Sequence, residues 1–71
     1  MGGPADTAIG VDVGGTRIRV ARMHRDGRLA DRRAEPVARD RAGFTAQLVR
    51  LVAALRDETT MGVGIGIPGR V

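Results

Sequence analysis

An acidic residue, two glycines and a hydroxyl group follow a short apolar run near the start of the sequence, as Asp12-Val13-Gly14-Gly15-Thr16. Backbone amides in a glycine turn can form a concave anion site, where phosphate oxygens come close because no side chains intervene. Thr16 can add a hydroxyl donor, and Asp12 can hold a hydrated Mg²⁺, which takes one or two carboxylates with water and phosphate oxygens. The pattern indicates a phosphate and magnesium site, although a tight hairpin with an acid at its rim explains it equally well.

A second glycine-rich segment, Gly64-Ile65-Gly66-Ile67-Pro68-Gly69, has the GxGxxG spacing of dinucleotide sites. In a true fingerprint the glycines follow a strand and open a helix. Here the first two glycines lie within an apolar alternation and Pro68 interrupts the loop, so a strand that ends in a Pro-Gly turn is the better interpretation. His24 is the only histidine. It lies beside Arg25-Asp26-Gly27 in a predicted hairpin turn, and a metal or general-base role would need matching partners nearby in the fold, so we expect a surface residue.

Hydrophobic periodicity predicts an α/β chain in the order β-β-β-α-β. Gly14-Gly15 and Asp26-Gly27 are expected to form hairpin turns, in which a positive φ favours glycine. Pro36 indicates that the third strand is an edge strand, because proline cannot donate to a neighbouring strand. Alternating apolar residues predict the strands, at 8–13, 17–23, 29–37 and 61–67.

One amphipathic helix is expected between the third and fourth strands. Asp40 is a plausible N-cap, and the helix should end within 57–60. The polar residues Gln47 and Arg50 fall off the apolar stripe, and we expect Leu48 and Leu51 to be buried against the sheet. The stripe follows the helical period and consists of Phe44, Leu48, Leu51, Val52 and Leu55.

Small residues alternate along the first and fourth predicted strands. A right-handed crossover through the helix would make these strands parallel, so that their small residues share one face. Glycine on a strand face usually marks the close approach of another backbone or a ligand. We expect a tightly packed helix there, with a bound ligand as the alternative. The residues concerned are Ala8, Gly10 and Asp12 in the first strand and Gly62, Gly64 and Gly66 in the fourth.

Composition excludes several classes of function. The chain has 71 residues and no cysteine, which rules out a disulfide scaffold and a thiolate metal site within it. All 12 basic residues are arginine, so a Walker A lysine is absent. The net charge is +4, but the arginines are dispersed among acids and Phe44 is the single aromatic residue, so we expect no nucleic-acid partner. We expect no membrane partner and a cytoplasmic location, because no apolar run is long enough to span a membrane.

Three segments resemble the opening of the ROK family, which contains bacterial sugar kinases and sugar-responsive repressors. They are IGVDVGGTRI at 9–18, DGRL at 26–29 and VGIGIPGRV at 63–71. The resemblance implies the first half of an actin-like, ribonuclease H-like ATPase domain over 8–71, after a disordered leader over 1–7. It also implies glucokinase-like, ATP- and Mg²⁺-dependent phosphoryl transfer to a hexose hydroxyl.

By this resemblance, Asp12 would be a magnesium-side carboxylate, and Gly14, Gly15 and Thr16 would hold the ATP phosphates. Gly69 would lie at the lip of the sugar pocket. Two positions differ from the commonest family pattern. Arg17 stands where lysine is frequent, and Arg70 stands where proline is frequent. Neither difference removes a group from the phosphate loop.

Members of the family are several times longer than 71 residues. The catalytic aspartate, a structural zinc site and the adenosine site would lie beyond Val71, so we expect an N-terminal fragment that is inactive alone. The full-length protein could form a homo-oligomer. A non-catalytic, sugar-sensing regulator or interaction module of the same family is the alternative, and a dinucleotide-binding fragment is the third. Only seven residues precede the first strand, where family repressors carry a winged helix-turn-helix, which favours the kinase.

Overall fold

The structure is a computed structural model, and it describes residues 6–66. The order β-β-β-α-β is confirmed. No helix in this part of the chain has the length and apolar character needed to cross a membrane. The elements are β1 (Thr7–Val13), β2 (Arg17–His24), β3 (Leu29–Pro36), α1 (Arg41–Leu55) and β4 (Thr60–Gly66).

The four strands form one sheet in the order β3-β2-β1-β4. β1 pairs antiparallel with β2, and β2 pairs antiparallel with β3. β4 returns through α1 and pairs parallel with β1, as predicted. The carboxyl ends of β1 and β4 therefore meet at one edge of the sheet, next to the β1–β2 loop.

The hydrophobic core lies between one face of the sheet and α1. Leu51 and Leu55 of the helix are fully buried there, whereas Leu48, also predicted to be buried, packs against this core and is half-buried. The strand side chains in this core are branched and apolar, and they are Ile9, Val11, Ile18 and Val20.

The helix does not pack on the small residues of β1 and β4, contrary to our expectation. In the described residues it covers the opposite face, because branched side chains bury far more apolar area per contact than glycine or alanine does. The face that α1 leaves uncovered is lined by Ala8, Gly10, Ala21, Ala34 and Gly64. We call this surface the open face.

The start of α1 agrees with the sequence prediction. The Asp40 carboxylate accepts a hydrogen bond from the Gly43 amide at 3.3 Å, as an N-cap does. The helix ends at Leu55, two residues before the predicted range. There the Arg22 guanidinium donates to the Leu55 carbonyl at 2.6 Å and pairs with Asp57 at 3.0 Å, which satisfies one of the carbonyls at the helix end.

Gln47 is buried, although its sequence position placed it off the apolar stripe. Its side-chain amide donates at 2.8 Å to the Glu35 carboxylate and to the Pro36 carbonyl. Its side-chain oxygen accepts from the Ala38 amide at 2.9 Å. The side chain thus satisfies the backbone of the β3–α1 connection, which explains why a polar residue is buried at this position.

The two outer strands of the described sheet differ in character. β3 is irregular: its pairing with β2 shifts between Val20 and Arg22, and Asp31 has a φ of 54°. It also carries several charges and ends at Pro36, which discourages pairing with another strand. β4 contains no charged residue and no proline. β3 is an edge strand, as predicted. β4 is the other edge strand of the described sheet, and it has no charge or proline to discourage pairing with another strand.

β1 begins at Thr7, one residue earlier than predicted. The Thr7 side chain is buried, and its hydroxyl lies 2.8 Å from the Thr59 hydroxyl. The Thr7 amide also donates to the Thr59 carbonyl at 2.9 Å. These bonds extend the contact between β1 and β4 to the start of both strands. The predicted end of β4 at Ile67 and the Pro68-Gly69 turn lie outside the described residues.

Candidate phosphate-binding site

The loop between β1 and β2 consists of Gly14, Gly15 and Thr16. The Gly14 amide donates to the Arg17 carbonyl at 2.8 Å, which closes the hairpin. The Thr16 carbonyl accepts from the Val37 amide at 3.0 Å, which ties the loop to the β3–α1 connection. Within residues 6–66 no group pairs with the amides of Gly15 and Thr16 or with the Thr16 hydroxyl. A fixed loop with unused donors is suited to binding an anion.

The prediction of a positive φ in this loop was wrong. Among the described glycines only Gly27 has one, at 90°, in the second hairpin. Gly14 is favoured for another reason, because a Cβ there would lie 3.3 Å from the Arg17 carbonyl oxygen, which is a tight contact. A Cβ on Gly15 would meet no atom of residues 6–66 within 4 Å. This part of the fold therefore does not need a glycine at position 15, whereas a ligand that approaches the backbone closely would need one.

Asp12 lies two residues before the loop, and its side chain projects on the open face. Its register partner on β2 is Arg19. The Arg19 guanidinium lies 4.0 Å from the Asp12 carboxylate, which is longer than a hydrogen bond, and the two side chains are 60% and 55% exposed. The carboxylate is thus accessible to a cation from solvent.

A single accessible carboxylate fits Mg²⁺ bound beside phosphates, because Mg²⁺ keeps several waters and needs only one or two protein carboxylates. Residues 6–66 contain no group of three or more His, Cys, Asp or Glu side chains that could hold a metal. The donor set at Asp12 therefore suits a metal that arrives with a phosphate ligand, and the described part of the chain offers no complete cage of protein ligands.

The carboxyl end of β4 borders the same site. Gly66 is the register partner of Asp12, and Gly64 is that of Gly10, so the small residues of both strands share the open face as predicted. Gly64 and Gly66 belong to β4 itself, which agrees with the strand interpretation rather than the dinucleotide fingerprint. Gly69 and Arg70 lie outside the described residues.

His24 lies far from this site. Its register partner is Thr7, at the amino end of β1, so His24 and Asp12 are at opposite ends of the hairpin. Arg19 was missed by sequence reasoning. Its place opposite Asp12 depends on the exact register of the hairpin, in which Val13 pairs with Ile18, and residue types alone did not specify that register.

The carboxylates whose pKa values are lowered all support the fold rather than the loop. Hydrogen bonds from Arg50 and then Gln47 lower the pKa of Glu35. Hydrogen bonds from the Thr59 hydroxyl and amide lower the pKa of Asp57, and a bond from the Arg28 amide lowers that of Asp26. Glu35 links α1 to β3, Asp57 links the end of α1 to the start of β4, and Asp26 stabilises the turn between β2 and β3.

Comparison with solved structures finds similar proteins. No protein-family model and no curated protein matches the chain. The crystal structure of a ROK family glucokinase from Streptomyces griseus, in complex with glucose and AMPPNP, is similar with a TM-score of 0.76 and 29% sequence identity. The match covers 92% of this chain and 21% of that chain.

The chain therefore spans about a fifth of the length of that glucokinase. Its α/β fold is that of the N-terminal part of an actin-like ATPase domain, and the similarity to a glucokinase indicated by the sequence motifs is confirmed.

Proposed function

We propose that this chain is the phosphate-binding part of a ROK-type sugar kinase, which transfers a phosphoryl group from Mg·ATP to a hexose hydroxyl. The observation that supports this most directly is the position of Asp12 and the Gly14–Thr16 loop at the carboxyl end of β1, within a fold similar to that of a glucokinase. The ligands named for that structure are glucose and AMPPNP, an ATP analogue, so we propose a hexose and ATP as the substrate classes here.

In phosphoryl transfer the protein mainly positions the phosphates and neutralises their charge. The amides of Gly15 and Thr16 and the Thr16 hydroxyl would donate to phosphate oxygens. Asp12 would hold Mg²⁺, which neutralises charge on the phosphate oxygens when it is bound. A rigid loop lowers the cost of arranging these donors, because the Gly14–Arg17 and Thr16–Val37 backbone bonds hold it in place before a ligand arrives.

Phosphoryl transfer also needs a group that positions or deprotonates the sugar hydroxyl. Within residues 6–66 Asp12 is the only acid at the loop, and we assign it to the metal. His24 is at the opposite end of the hairpin. We therefore propose that the 71-residue chain alone is inactive. A coupled assay with ATP and glucose, mannose or N-acetylglucosamine should give no sugar-dependent turnover, and clear turnover would contradict this assignment.

Nucleotide binding tests the proposed function without requiring turnover. The ¹⁵N-labelled chain is titrated with Mg·AMPPNP, and backbone amide shifts are recorded by NMR. We expect the largest changes at Gly15 and Thr16, with little change at Gly27 in the other hairpin. Asp12→Asn should weaken the binding of Mg·AMPPNP. The exposed Asp26 at the second turn gives a matched control, since Asp26→Asn should leave the affinity unchanged. Shifts centred on another region would contradict the proposal.

A further inference from the structure

Arg19 differs from the other arginines whose ion pairs the structure shows. Arg22 approaches Asp57 to 3.0 Å, and Arg50 donates a hydrogen bond to Glu35. Arg19 comes no closer than 4.0 Å to Asp12, so its guanidinium N–H groups are not used in a hydrogen bond to that carboxylate. At 60% side-chain exposure it is an arginine with donors available to solvent.

The surroundings of Arg19 leave room for a ligand. Its register partners are Asp12 on one side and Ala34 on the other. Gly10, Gly64 and Gly66 line the same surface, and none of these glycines has a side chain that could fill the space over Asp12. The Asp12–Arg19 pair thus stands at the margin of an open surface, next to the loop donors.

We propose that Arg19 is a phosphate-contacting residue of the nucleotide site and that Asp12 and Arg19 exchange their mutual contact for Mg²⁺ and phosphate, respectively. This inference rests on the proposed function. Mg·ATP is itself a cation held by an anion, so it offers each member of the pair an opposite charge. A guanidinium also matches the geometry of phosphate oxygens. The sequence has no lysine, so an arginine must supply any basic side chain that this chain contributes to the site.

The exchange has a consequence for each ligand alone. Mg²⁺ alone meets repulsion from Arg19, and a nucleotide without Mg²⁺ meets repulsion from Asp12. Each should therefore bind less tightly than the magnesium-nucleotide complex. Removing the charge of Arg19 should weaken Mg·AMPPNP binding but should strengthen the binding of Mg²⁺ alone. A purely structural role for Arg19 would move both affinities in the same direction.

The test is a set of titrations of the 71-residue chain with Mg²⁺ alone, with Mg·AMPPNP, and with AMPPNP in EDTA, followed by amide shifts. Arg19→Gln should weaken Mg·AMPPNP binding about tenfold, the loss expected for one charge-assisted hydrogen bond, and Arg19→Lys should restore part of it. Arg32→Gln is the matched control, because Arg32 also lines the open face but lies on β3. It should change the affinity less than about twofold. Unchanged amide spectra of the free variants show that the fold is retained.

The outcomes separate this inference from the proposed function. If the wild-type chain binds Mg·AMPPNP at the loop and Arg19→Gln binds it equally well, the inference is wrong and the proposed function stands. If Arg19→Gln weakens both Mg²⁺ and Mg·AMPPNP, its role is structural and the exchange is wrong. If the wild-type chain shows no shift at the loop at millimolar Mg·AMPPNP, both the proposed function and the inference are contradicted.

Discussion

Asp12 of β1 lies directly beside Gly66 of β4 in a parallel register. The crossover through α1 creates this relationship, because it returns β4 along β1 in the same direction. The carboxyl ends of two strands that are far apart in sequence therefore border one loop. Parallel α/β sheets commonly bind ligands beyond the carboxyl ends of their strands, and the loop whose Gly15 and Thr16 amides have no partner within residues 6–66 is found at this edge.

The two loop glycines should respond differently to substitution. Gly14→Val should destabilise the fold, because its Cβ would lie 3.3 Å from the Arg17 carbonyl oxygen. Gly15→Val places its Cβ where no atom of the described residues lies within 4 Å, so it should leave the melting temperature nearly unchanged and weaken Mg·AMPPNP binding by blocking the backbone. Thermal unfolding and nucleotide titration measure the two effects. Gly62→Val, also in open space but at the other end of β4, serves as the control. A Gly15→Val variant that binds normally would contradict the role of this loop.

The apolar stripe of α1 should provide much of the stability. Leu51 is 1% exposed, so Leu51→Ala should lower the free energy of unfolding by about 2–5 kcal/mol. Val49 lies on the same helix and is 64% exposed, so Val49→Ala should change it by less than about 0.5 kcal/mol. Urea denaturation followed by circular dichroism measures both. Equal effects would show that the helix packs with a different face toward the sheet.

Stability should fall in acid partly through Glu35. Its pKa is lowered in the folded chain by hydrogen bonds from Arg50 and Gln47. A lowered folded-state pKa adds stability that is fully present above the unfolded value, 4.5, and is lost as the pH falls through the folded value. Glu35→Gln should therefore flatten the melting temperature profile below about pH 5. Glu58→Gln is the control at an exposed acid. An unchanged profile in Glu35→Gln would contradict this account.

The β4 edge should make the chain associate as its concentration rises. Val63 is 46% exposed and Ile65 is 53% exposed, and the strand has no charge to oppose pairing with another strand. Light scattering coupled to size exclusion should show a rising mean mass. Ile65→Lys should suppress the rise, whereas Val49→Lys, on the exposed side of α1, should not. A strictly monomeric wild-type chain at millimolar concentration would contradict the prediction.

The order of elements was predictable because it follows from local patterns. Apolar alternation marks the strands, and Asp40 marks the start of α1. The side of the sheet that α1 covers was not predictable from spacing, because, apart from Asp12 near its end, both faces of β1 consist of apolar or small residues. The burial of Gln47 was missed for a related reason. It depends on backbone groups of 36 and 38 that only the folded connection brings within reach.

The residues of the candidate site could be proposed from the sequence, and its conformation could be predicted only in part. Asp12 and the Gly14–Thr16 loop were recognisable from residue types at close spacing. The backbone angles of the loop were not, because the Gly14–Arg17 bond and the pairing of Val13 with Ile18 put Gly15 and Thr16 at the turn, rather than the expected Gly14 and Gly15, and Gly15 has no positive φ there. The role of Gly14 depends instead on one close approach to a carbonyl, which no sequence pattern reports.

A crystal structure of the chain grown with Mg·AMPPNP tests the central claim most directly. We predict phosphate oxygens within hydrogen-bond distance of the Gly15 and Thr16 amides, with Mg²⁺ on the Asp12 side and the Arg19 guanidinium turned toward phosphate. Phosphates bound elsewhere, with the Gly15 and Thr16 amides facing solvent, would contradict the assignment of this loop as the phosphate site.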